Sequence, residues 1–427
     1  MKSRTRFSVV TPLTVSRQVD RTRDWAESGL VALTGPADGP PVVPPGRAAS
    51  YARELSSWIG AATADTAHPV RVDGGLLLSE RAAYTGGVRG GNISVGRGCR
   101  LLPTADGWAA VSCARPDDAA LLGALVGHDV GGDPWPAVEM WLREHSGSEL
   151  ADGAEMLGIA AAPVVRRASA PTAPAEARPR SVEGLLVVDF SALWAGPLCS
   201  HLLGAAGARV IKVETPNRPD GARFGDRGFY DLMHSGHESV VLDPDTEFGR
   251  RALALLVDAA DIVVEASRPR ALERFGLDAT AACAAGTTWV SITARGRDSP
   301  TVGFGDDVAA SSGLVAADAA GAPMFVGDAI ADPLTGLTAA VRAMSEPPGG
   351  GPGHLWEVAM SEVVASTLVD VAEPQPRIRR RGDRWVVDGA SGEVDIAEPR
   401  RRAGAFVPAP AAGRDTERVL RELDKRA

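Results

Sequence analysis

The sequence predicts an α/β fold, in which a Rossmann-like doubly wound sheet domain follows a smaller α+β module. The first observation is a series of short apolar runs, each typical of a buried strand: LLVVDF (185–190), ARVIKVE (208–214), ESVVLD (238–243), DIVVEA (261–266) and TTWVSITA (287–294). Helical segments alternate with these runs, which indicates parallel pairing and an open sheet with helices on both faces. The second observation is a Pro-, Ala- and Arg-rich stretch that has the composition of a solvated linker.

These features divide the 427-residue chain into five segments. We expect an N-terminal tail at 1–23, a module at 24–165, the linker at 166–182, the sheet domain at 183–345 and a C-terminal return segment at 346–427. In the first module, RLLPTADGWAAVSC is typical of a hairpin with an Asp-Gly turn. In the return segment, LWEVAMSEVVAST is interpreted as a strand followed by a helix.

Composition excludes several classes of protein. The formal net charge of −9 argues against nucleic-acid binding, which needs clustered positive charge. No run approaches the roughly 18 apolar residues of a membrane helix, and the start of the chain does not resemble a signal peptide. The cysteines are widely spaced without a C-x-x-C pair, so we expect no metal site and no disulfide framework. A cytoplasmic protein with reduced thiols fits best. The cysteines are Cys99, Cys113, Cys199 and Cys283.

Asp332 stands at the start of a predicted helix. Leu334, Leu337 and Val341 follow it at helical spacing, and Asp332-Pro333 is typical of a helix N-cap followed by proline at the first helical position. Local sequence therefore favours a structural interpretation of Asp332. An anionic carboxylate is also favoured at a helix N-terminus, so a functional role is compatible with the same position.

The turn after the first predicted strand is a candidate ligand site. In open α/β sheets, ligands bind beyond the carboxyl ends of the strands. In SALWAGP (191–197), Ala195 and Gly196 allow a close approach to the backbone, and Trp194 offers a stacking surface. An ordinary tight strand–helix turn is the alternative. No G-x-G-x-x-G fingerprint follows this strand, so a nicotinamide cofactor is not supported.

An internal sequence repeat links the two halves of the chain. DWAESGLVALTGPADGPP (24–41) is similar to DVAASSGLVAADAAGAP (307–323), and LLSERAA (77–83) is similar to AMSEVVA (359–365), in the same order. This pattern indicates duplication of one segment. A gapless alignment places Ser50 opposite Asp332, so the first copy lacks the carboxylate.

Several ordered motifs resemble the family III CoA-transferases, the group that includes carnitine and bile-acid CoA-transferases and α-methylacyl-CoA racemases. The match lies in LLVVDFSALWAGPLCSHLLGAAGARVIKVETP, SVVLD, ADIVVEASRPRALERFGL, SITARGRDSP and GDAIADPLTGL. It implies a soluble homodimer whose substrates are an acyl-CoA and a carboxylic acid, with coenzyme A as a substrate and no metal. It also implies that Asp332 is the covalent catalytic residue; Asp328 is a weaker candidate.

The chain departs from the family where basic side chains usually meet the CoA phosphates. The usual Lys-Arg pair before the third strand is missing, and Glu238 has the wrong charge for a phosphate. Arg223, Arg268 and Arg274 remain as candidate CoA-binding residues, because a guanidinium suits phosphate geometry.

Three functions stay open from the sequence. A CoA-transferase is favoured, and a non-catalytic acyl-CoA-binding paralogue or subunit is the alternative. An acyl-CoA racemase is disfavoured because Asp306 stands where the related racemases have a histidine. A carboxylate there would be a poor general acid unless it were strongly desolvated.

Overall fold

The computed structural model describes residues 20–165, 177–266, 269–351, 353–369, 375–390, 392–404 and 406–425. Three predicted features lie outside these ranges in whole or in large part: the N-terminal tail, the linker and Arg268. The first helix begins at Arg21, inside the segment predicted as tail.

The first module contains both helices and strands, as expected. Its elements are α1 (Arg21–Glu27), α2 (Ala48–Thr63), α3 (Gly74–Leu77), α4 (Glu80–Thr85), β1 (Cys99–Pro103), β2 (Trp108–Ser112), α5 (Asp118–Val126), α6 (Trp135–Glu144), α7 (Gly147–Leu157) and β3 (Ala161–Pro163). β1 and β2 form the predicted antiparallel hairpin, and β3 adds to β2.

The sheet domain contains five strands at the predicted positions. Its elements are β4 (Leu186–Asp189), α8 (Ala195–Ala205), β5 (Arg209–Glu214), α9 (Arg227–His234), β6 (Glu238–Val241), α10 (Glu247–Ala259), β7 (Ile262–Glu265), α11 (Pro269–Glu273), α12 (Ala279–Ala285), β8 (Thr288–Thr293), α13 (Gly305–Ser311), β9 (Ala316–Ala317), β10 (Pro323–Met324) and α14 (Ala331–Ala343). The return segment adds β11 (His354–Ala359), α15 (Met360–Ala365), β12 (Ile378–Arg381), β13 (Arg384–Gly389), β14 (Gly392–Asp395) and α16 (Thr416–Asp424).

The central sheet is parallel and doubly wound, which confirms the predicted fold class. Its strand order is β11-β8-β7-β4-β5-β6. The chain runs outward in one direction from β4 through β5 and β6, and in the other through β7, β8 and β11, so the order reverses between β4 and β7. The crevice at such a reversal is where open α/β sheets bind ligands. The loops after β4 and β7 border this crevice, and the loop after β8 lies at the same edge, one strand further out.

The predicted boundary at the linker does not separate two independent cores. Side chains of α1 and α2, including Trp25 and Ile59, lie in the same hydrophobic cluster as Leu198 of α8 and Leu337 of α14. The part around β1–β3 and α5–α7 has a small core of its own, in which Leu142 and other apolar side chains are buried. The first module is thus two structural pieces, and its helical piece is part of the sheet domain's core.

Helix α14 packs closely on α8 through a glycine. A methyl group at Gly336 would lie 2.6 Å from the Ala195 carbonyl oxygen, so only glycine allows this approach. The helix begins at Ala331 with Ile330 as its N-cap, which corrects the prediction that Asp332 is the cap. Asp332 lies one residue inside the helix, and the helix N-terminus receives no side-chain cap. The structural role that local sequence suggested for Asp332 is therefore absent.

The end of the predicted linker is exposed at Arg178 and Pro179, as expected of a solvated segment, but it is also bonded to the sheet domain. Pro179 forms a bridge with Ser345, and the Arg180 backbone N–H donates to the Met344 carbonyl at 2.8 Å. The Arg180 guanidinium also donates to the Ala343 carbonyl. These bonds anchor the entry to the sheet domain on the C-terminal end of α14.

The return segment connects both halves of the molecule. The β12–β14 sheet contacts α1, and α16 packs on α10 and β6. The arginine-rich run 379–384 lies in the β12–β13 hairpin, where Arg379 pairs with Asp388 and Arg384 pairs with Asp395 at 2.8 Å. Among the described residues, no helix is long and apolar enough to cross a membrane.

A buried histidine pair makes stability sensitive to acid. His234 and His237 lie beside each other with ring centroids 5.5 Å apart, and both ring nitrogens of His237 lack a hydrogen-bond partner among the described residues. Burial lowers the pKa of His237 well below its usual value. As pH falls below about 6.5, the unfolded chain binds this proton before the folded chain does, so stability declines.

We expect His237→Leu to remove part of this acid sensitivity. Leucine removes the two unpaired ring nitrogens of His237, so the variant should be at least as stable as the parent at pH 7 and lose less stability between pH 6.5 and 5. Thermal unfolding at several pH values measures this, with the exposed His128→Leu as a matched control. A His237→Leu curve parallel to that of the parent would contradict the expectation.

Candidate active site

Asp332 lies beyond the carboxyl end of β8, against the loop that begins α13. Its carboxylate contacts the backbone at Gly305, and its own N–H donates to the Ala329 carbonyl at 2.9 Å. Ala329 has a positive φ of 44°, which is unusual for a residue with a side chain. Asp332 is half-buried.

Asp332 belongs to a cluster of four aspartates. Burial raises the pKa of Asp332 to about 7; Arg81 lowers this pKa, whereas Asp306, Asp307 and Asp328 raise it further. Burial also raises the pKa of Asp306 to about 6 and the pKa of Asp307 to about 7. Near neutral pH, protonated and ionised forms of these carboxyl groups are therefore both accessible, which suits acid–base or nucleophilic chemistry.

Two of these carboxylates support the loops around the site. Asp306 accepts a hydrogen bond from the Ala329 N–H at 2.8 Å, which joins the start of α13 to the loop before α14. Asp307 accepts from the Ser112 hydroxyl and the Phe304 N–H, each at 2.9 Å. The sequence prediction that Asp306 would stay charged is weakened, because burial supplies the desolvation that this prediction named as its exception.

Arg81 of α4 completes the cluster from the first module. Its guanidinium binds both carboxylate oxygens of Asp328, with the Nε–Oδ2 distance at 2.9 Å, and Asp328 is only 1% exposed. The guanidinium also lies over the Trp194 ring, 5.2 Å from its centroid. Sequence reasoning did not identify Arg81 as a site residue. The sequence feature that could have pointed to Arg81 is its place in the repeated segment LLSERAA.

Trp194 reaches the cluster only through Arg81. The indole is 3% exposed and packs edge-on against Phe229, with ring centroids 5.4 Å apart. Ala195 and Gly196 are buried at the start of α8, and a methyl group at Gly196 would clash with the Ser191 side chain. The close approach that Gly196 permits is therefore to Ser191 of the same turn. The predicted roles of Trp194, Ala195 and Gly196 in CoA binding remain predictions.

The turn presents another side chain to solvent. Leu193 is 42% exposed and has a positive φ of 69°, and its N–H donates to the Asp220 carboxylate at 3.0 Å. Asp220 is buried and pairs with the buried Lys212 at 3.0 Å. A buried ion pair thus holds the strained turn in place.

Two of the three predicted phosphate-binding arginines, Arg223 and Arg274, lie among the described residues. Arg223 binds the Glu214 carboxylate through its Nε at 2.9 Å and packs over Tyr230. Arg274 is exposed just after α11, and Arg268 lies outside the described residues. Glu238, which seemed the wrong charge for a phosphate site, is paired with Arg209 and Arg418 at 2.8 and 3.2 Å. Glu238 therefore anchors α16 to the sheet.

No metal centre accompanies the carboxylates in the part of the chain that the structure describes. No group of three or more His, Cys, Asp or Glu side chains there is arranged to hold a metal ion. The geometry places a carboxylate of raised pKa at the carboxyl edge of the parallel sheet of an α/β protein.

Comparison with protein families agrees with this class. Residues 182–381 match the family described as CoA-transferase family III. The match contains the parallel sheet, the SALWAGP turn and Asp332.

Curated relatives carry CoA-transferase names. The succinyl-CoA–D-citramalate CoA-transferase of Chloroflexus aurantiacus is 28% identical over 207 residues, which are 44% of this chain and 52% of the relative. The succinate–glutarate CoA-transferase of Agrobacterium fabrum is 29% identical over 212 residues, which are 44% and 53%. The formyl-CoA:oxalate CoA-transferase of an Escherichia coli O6:H1 strain is 31% identical over 102 residues, which are 22% and 24%. The chain spans about half the length of the first two.

Solved structures also match. A crystal structure of a hypothetical protein from Mycobacterium tuberculosis is 25% identical, with a TM-score of 0.43, and the match covers 50% of this chain and 65% of that one. A CAIB/BAIF family protein from Brucella suis is 24% identical, with a TM-score of 0.43 and coverage of 51% and 65%.

Gly305→Ala tests whether the position of Asp332 matters. The added methyl group would clash with the Asp332 carboxylate and the Ala329 carbonyl, so one of them must move. A displacement of about 1 Å at a reacting group costs on the order of 100-fold in rate. We therefore expect such a loss in CoA-transfer rate with the fold retained, measured by steady-state kinetics and circular dichroism.

Gly132→Ala is the matched control, because a methyl group at Gly132 meets nothing within 4 Å. Wild-type kinetics in the Gly305→Ala variant would show that the carboxylate need not keep this position.

Proposed function

We propose that the protein is a CoA-transferase that moves CoA between an acyl-CoA thioester and a free carboxylic acid, with Asp332 as the covalent carrier. The observation that carries the proposal is the half-buried Asp332 carboxylate, held at the carboxyl edge of the sheet inside the region that matches the family. The carboxylate lies against the backbone at Gly305 and does not cap the helix, and the Asp332 N–H donates to the Ala329 carbonyl. A carboxylate that is partly exposed and not used as a cap suits nucleophilic attack.

In the proposed chemistry, the Asp332 carboxylate first acts as a nucleophile, and its acyl derivatives then act as electrophiles. An Asp332 oxygen attacks the thioester carbonyl, the C–S bond breaks, and CoA leaves as a thiolate. The thiolate then attacks the aspartyl carbonyl of the mixed anhydride, which frees the donor acid and leaves an aspartyl-CoA thioester. An acceptor carboxylate attacks that thioester, which releases the thiolate and forms a second mixed anhydride. The thiolate then attacks the carbonyl of the acceptor acyl group, which gives the new acyl-CoA and restores Asp332.

The pKa of Asp332 sets the pH range of the first step. Only the ionised carboxylate attacks a carbonyl, and burial raises the pKa of Asp332 to about 7. The rate of the first half-reaction should therefore fall as pH drops below about 7. Burial also makes the ionised oxygen less well solvated, and hence more reactive than an exposed carboxylate.

Substrates follow from the names of the relatives. Those names contain succinate, glutarate, citramalate, oxalate and formyl-CoA. We propose small acyl groups of this kind as the first donors and acceptors to test. The proposal includes a homodimer in the cytoplasm, which the family resemblance implies.

Asp332→Asn tests the carrier directly. The amide keeps the shape of the side chain but removes the nucleophile, so we expect the transfer rate to fall by at least about 10³-fold. The assay uses succinyl-CoA and formyl-CoA with a panel of free acids and follows new acyl-CoA by chromatography. Asp258→Asn, on the exposed face of α10, is the matched control. Transfer at the wild-type rate by Asp332→Asn would remove Asp332 from the mechanism.

A non-catalytic acyl-CoA-binding protein is the second candidate, because Arg223 is committed to Glu214 and the usual Lys-Arg pair is missing. Calorimetry with CoA and acyl-CoA separates the two. Binding without transfer to any acid would favour the second candidate.

Racemisation remains a third possibility, because the raised pKa values of Asp306 and Asp307 remove the sequence objection to a general acid. The measurement is α-proton exchange of a 2-methylacyl-CoA in deuterated water, beside the transfer assay. Fast deuterium uptake without transfer would replace the proposed function with racemisation.

A further inference from the structure

The internal sequence repeat folds into helices that occupy matching positions in its two copies. The gapless alignment that places Ser50 opposite Asp332 also places α2 on residues 330–345, which contain the whole of α14. The same alignment places α4 on residues 362–367, which overlap α15. Two pairs of helices therefore coincide, and the repeat in the sequence is also a repeat in the structure.

We call residues 24–85 the first copy and residues 307–367 the second copy. The two copies pack on each other through α2 and α14, and Ile59 and Leu337 lie in the same hydrophobic cluster. The first copy, all of which the structure describes, contains no strand, whereas the second copy contributes β11 to the central sheet. The copies thus share a helical framework and differ in their relation to the sheet.

The contacts between the copies are reciprocal. Asp328, in the loop before α14, is bound by Arg81 of α4, with an Nε–Oδ2 distance of 2.9 Å. In the loop before α2, the Arg47 N–H donates to the carbonyl of Thr367, just beyond α15, at 2.7 Å. A methyl group at Gly46, which the alignment pairs with Asp328, would lie 2.6 Å from the same carbonyl oxygen. The loop before α2 or α14 therefore lies against the α15 or α4 end of the other copy.

Reciprocal contacts of this kind are made by two identical subunits around a two-fold axis. Two copies close such an interface, because each copy presents the surface that the other one needs. One chain of this protein carries both copies, so the pair is complete within a single molecule.

The first copy reaches the loop that leads to Asp332. The Gly327 N–H donates to the Thr34 hydroxyl at 3.1 Å, and Gly327 has a positive φ of 65°. A methyl group at Gly327 would clash with the Leu30 side chain of the first copy, so the loop lies directly on that copy. Two residues further on, the Ala329 carbonyl accepts from the Asp332 N–H at 2.9 Å. Hydrogen bonds and chain connectivity thus link the first copy to the start of α14.

We propose that the first copy acts as an internal second subunit, which completes the loop before Asp332 from within the same chain. The inference deepens the proposed function and rests on it, because this loop precedes the proposed acyl carrier. A homodimer would then contain two whole sites, one in each chain. The competing arrangement is a swapped pair, in which the first copy of one chain completes the site of its partner.

The double variant Arg47→Cys/Thr367→Cys distinguishes the two arrangements. The hydrogen bond between these two backbones brings their Cα atoms within the span of a disulfide. After mild oxidation of the full-length protein, we expect a disulfide between these two positions in the band that runs as a single chain on a non-reducing denaturing gel. Peptide mass spectrometry identifies the linked pair, and the two single variants control for links made by the native thiols of Cys113 and Cys283.

The same linked pair in a covalent dimer would overturn the proposal in favour of a swapped arrangement. Absence of the pair from every band would also overturn it, because the reciprocal contact would then not exist.

Thr34→Val tests whether the first copy contributes to the site. Valine keeps the shape of the side chain but removes the acceptor for the Gly327 N–H. A displacement of about 1 Å at a reacting group costs on the order of 100-fold in rate, so we expect kcat for CoA transfer to fall by about 10- to 100-fold with little change in KM. Thr34→Ser keeps the hydroxyl and should retain most of the rate.

Thr63→Val is the matched control. The buried Thr63 hydroxyl also donates to a carbonyl four residues earlier and accepts from a backbone N–H, but both partners, Ile59 and Val70, lie within the first copy. A wild-type kcat in Thr34→Val, or an equal loss of kcat in Thr63→Val, would overturn the contribution of the first copy to the site. An inactive parent protein would count against the proposed function, and the disulfide measurement would still decide which chain completes the loop.

Discussion

The ion pair between Arg81 and Asp328 joins the two halves of the chain at the site. Asp328 is almost fully buried, and a buried carboxylate without a partner is strongly destabilising, so the first module cannot withdraw from the site without a large penalty. The same guanidinium covers Trp194, which begins the helix after the first strand of the sheet. One side chain therefore fixes the relative positions of α4, the β4–α8 turn and the loop before α14.

The cluster also shows how the fold gives a carboxylate an unusual pKa. Four aspartates and Arg81 meet in a largely buried part of the site, and burial opposes the charged forms of Asp306, Asp307 and Asp332. Hydrogen bonds from Ala329 and Ser112 hold Asp306 and Asp307 in place despite this cost. Perturbed acids of this kind are concentrated at functional sites, although structural networks also produce them. The partial exposure of Asp332 favours function here.

Much of the fold was predictable because buried parallel strands have a strong local signature. The strand containing Val187 and Val188 lies within one residue of its predicted bounds at each end. The predicted start of α14 was wrong. Asp-Pro is typical of a helix cap, but the helix begins earlier, at Ala331, directly after the unusual backbone at Ala329. Arg81 was missed because its partner Asp328 is 247 residues away, and no local pattern encodes a contact at that distance. The shared core of α1, α2 and α14 was missed for the same reason.

The central claim is that one carboxylate per chain, Asp332, carries the acyl group or CoA. The first copy of the duplicated segment has Ser50 at the aligned position, and the Ser50 hydroxyl is 3% exposed and bonded to Asp24. The most direct measurement is to incubate the wild-type protein with succinyl-CoA, quench it, and determine adducts by intact and peptide mass spectrometry. We expect one adduct per chain, located on the peptide that contains Asp332. An adduct at another residue, or two per chain, would contradict the claim.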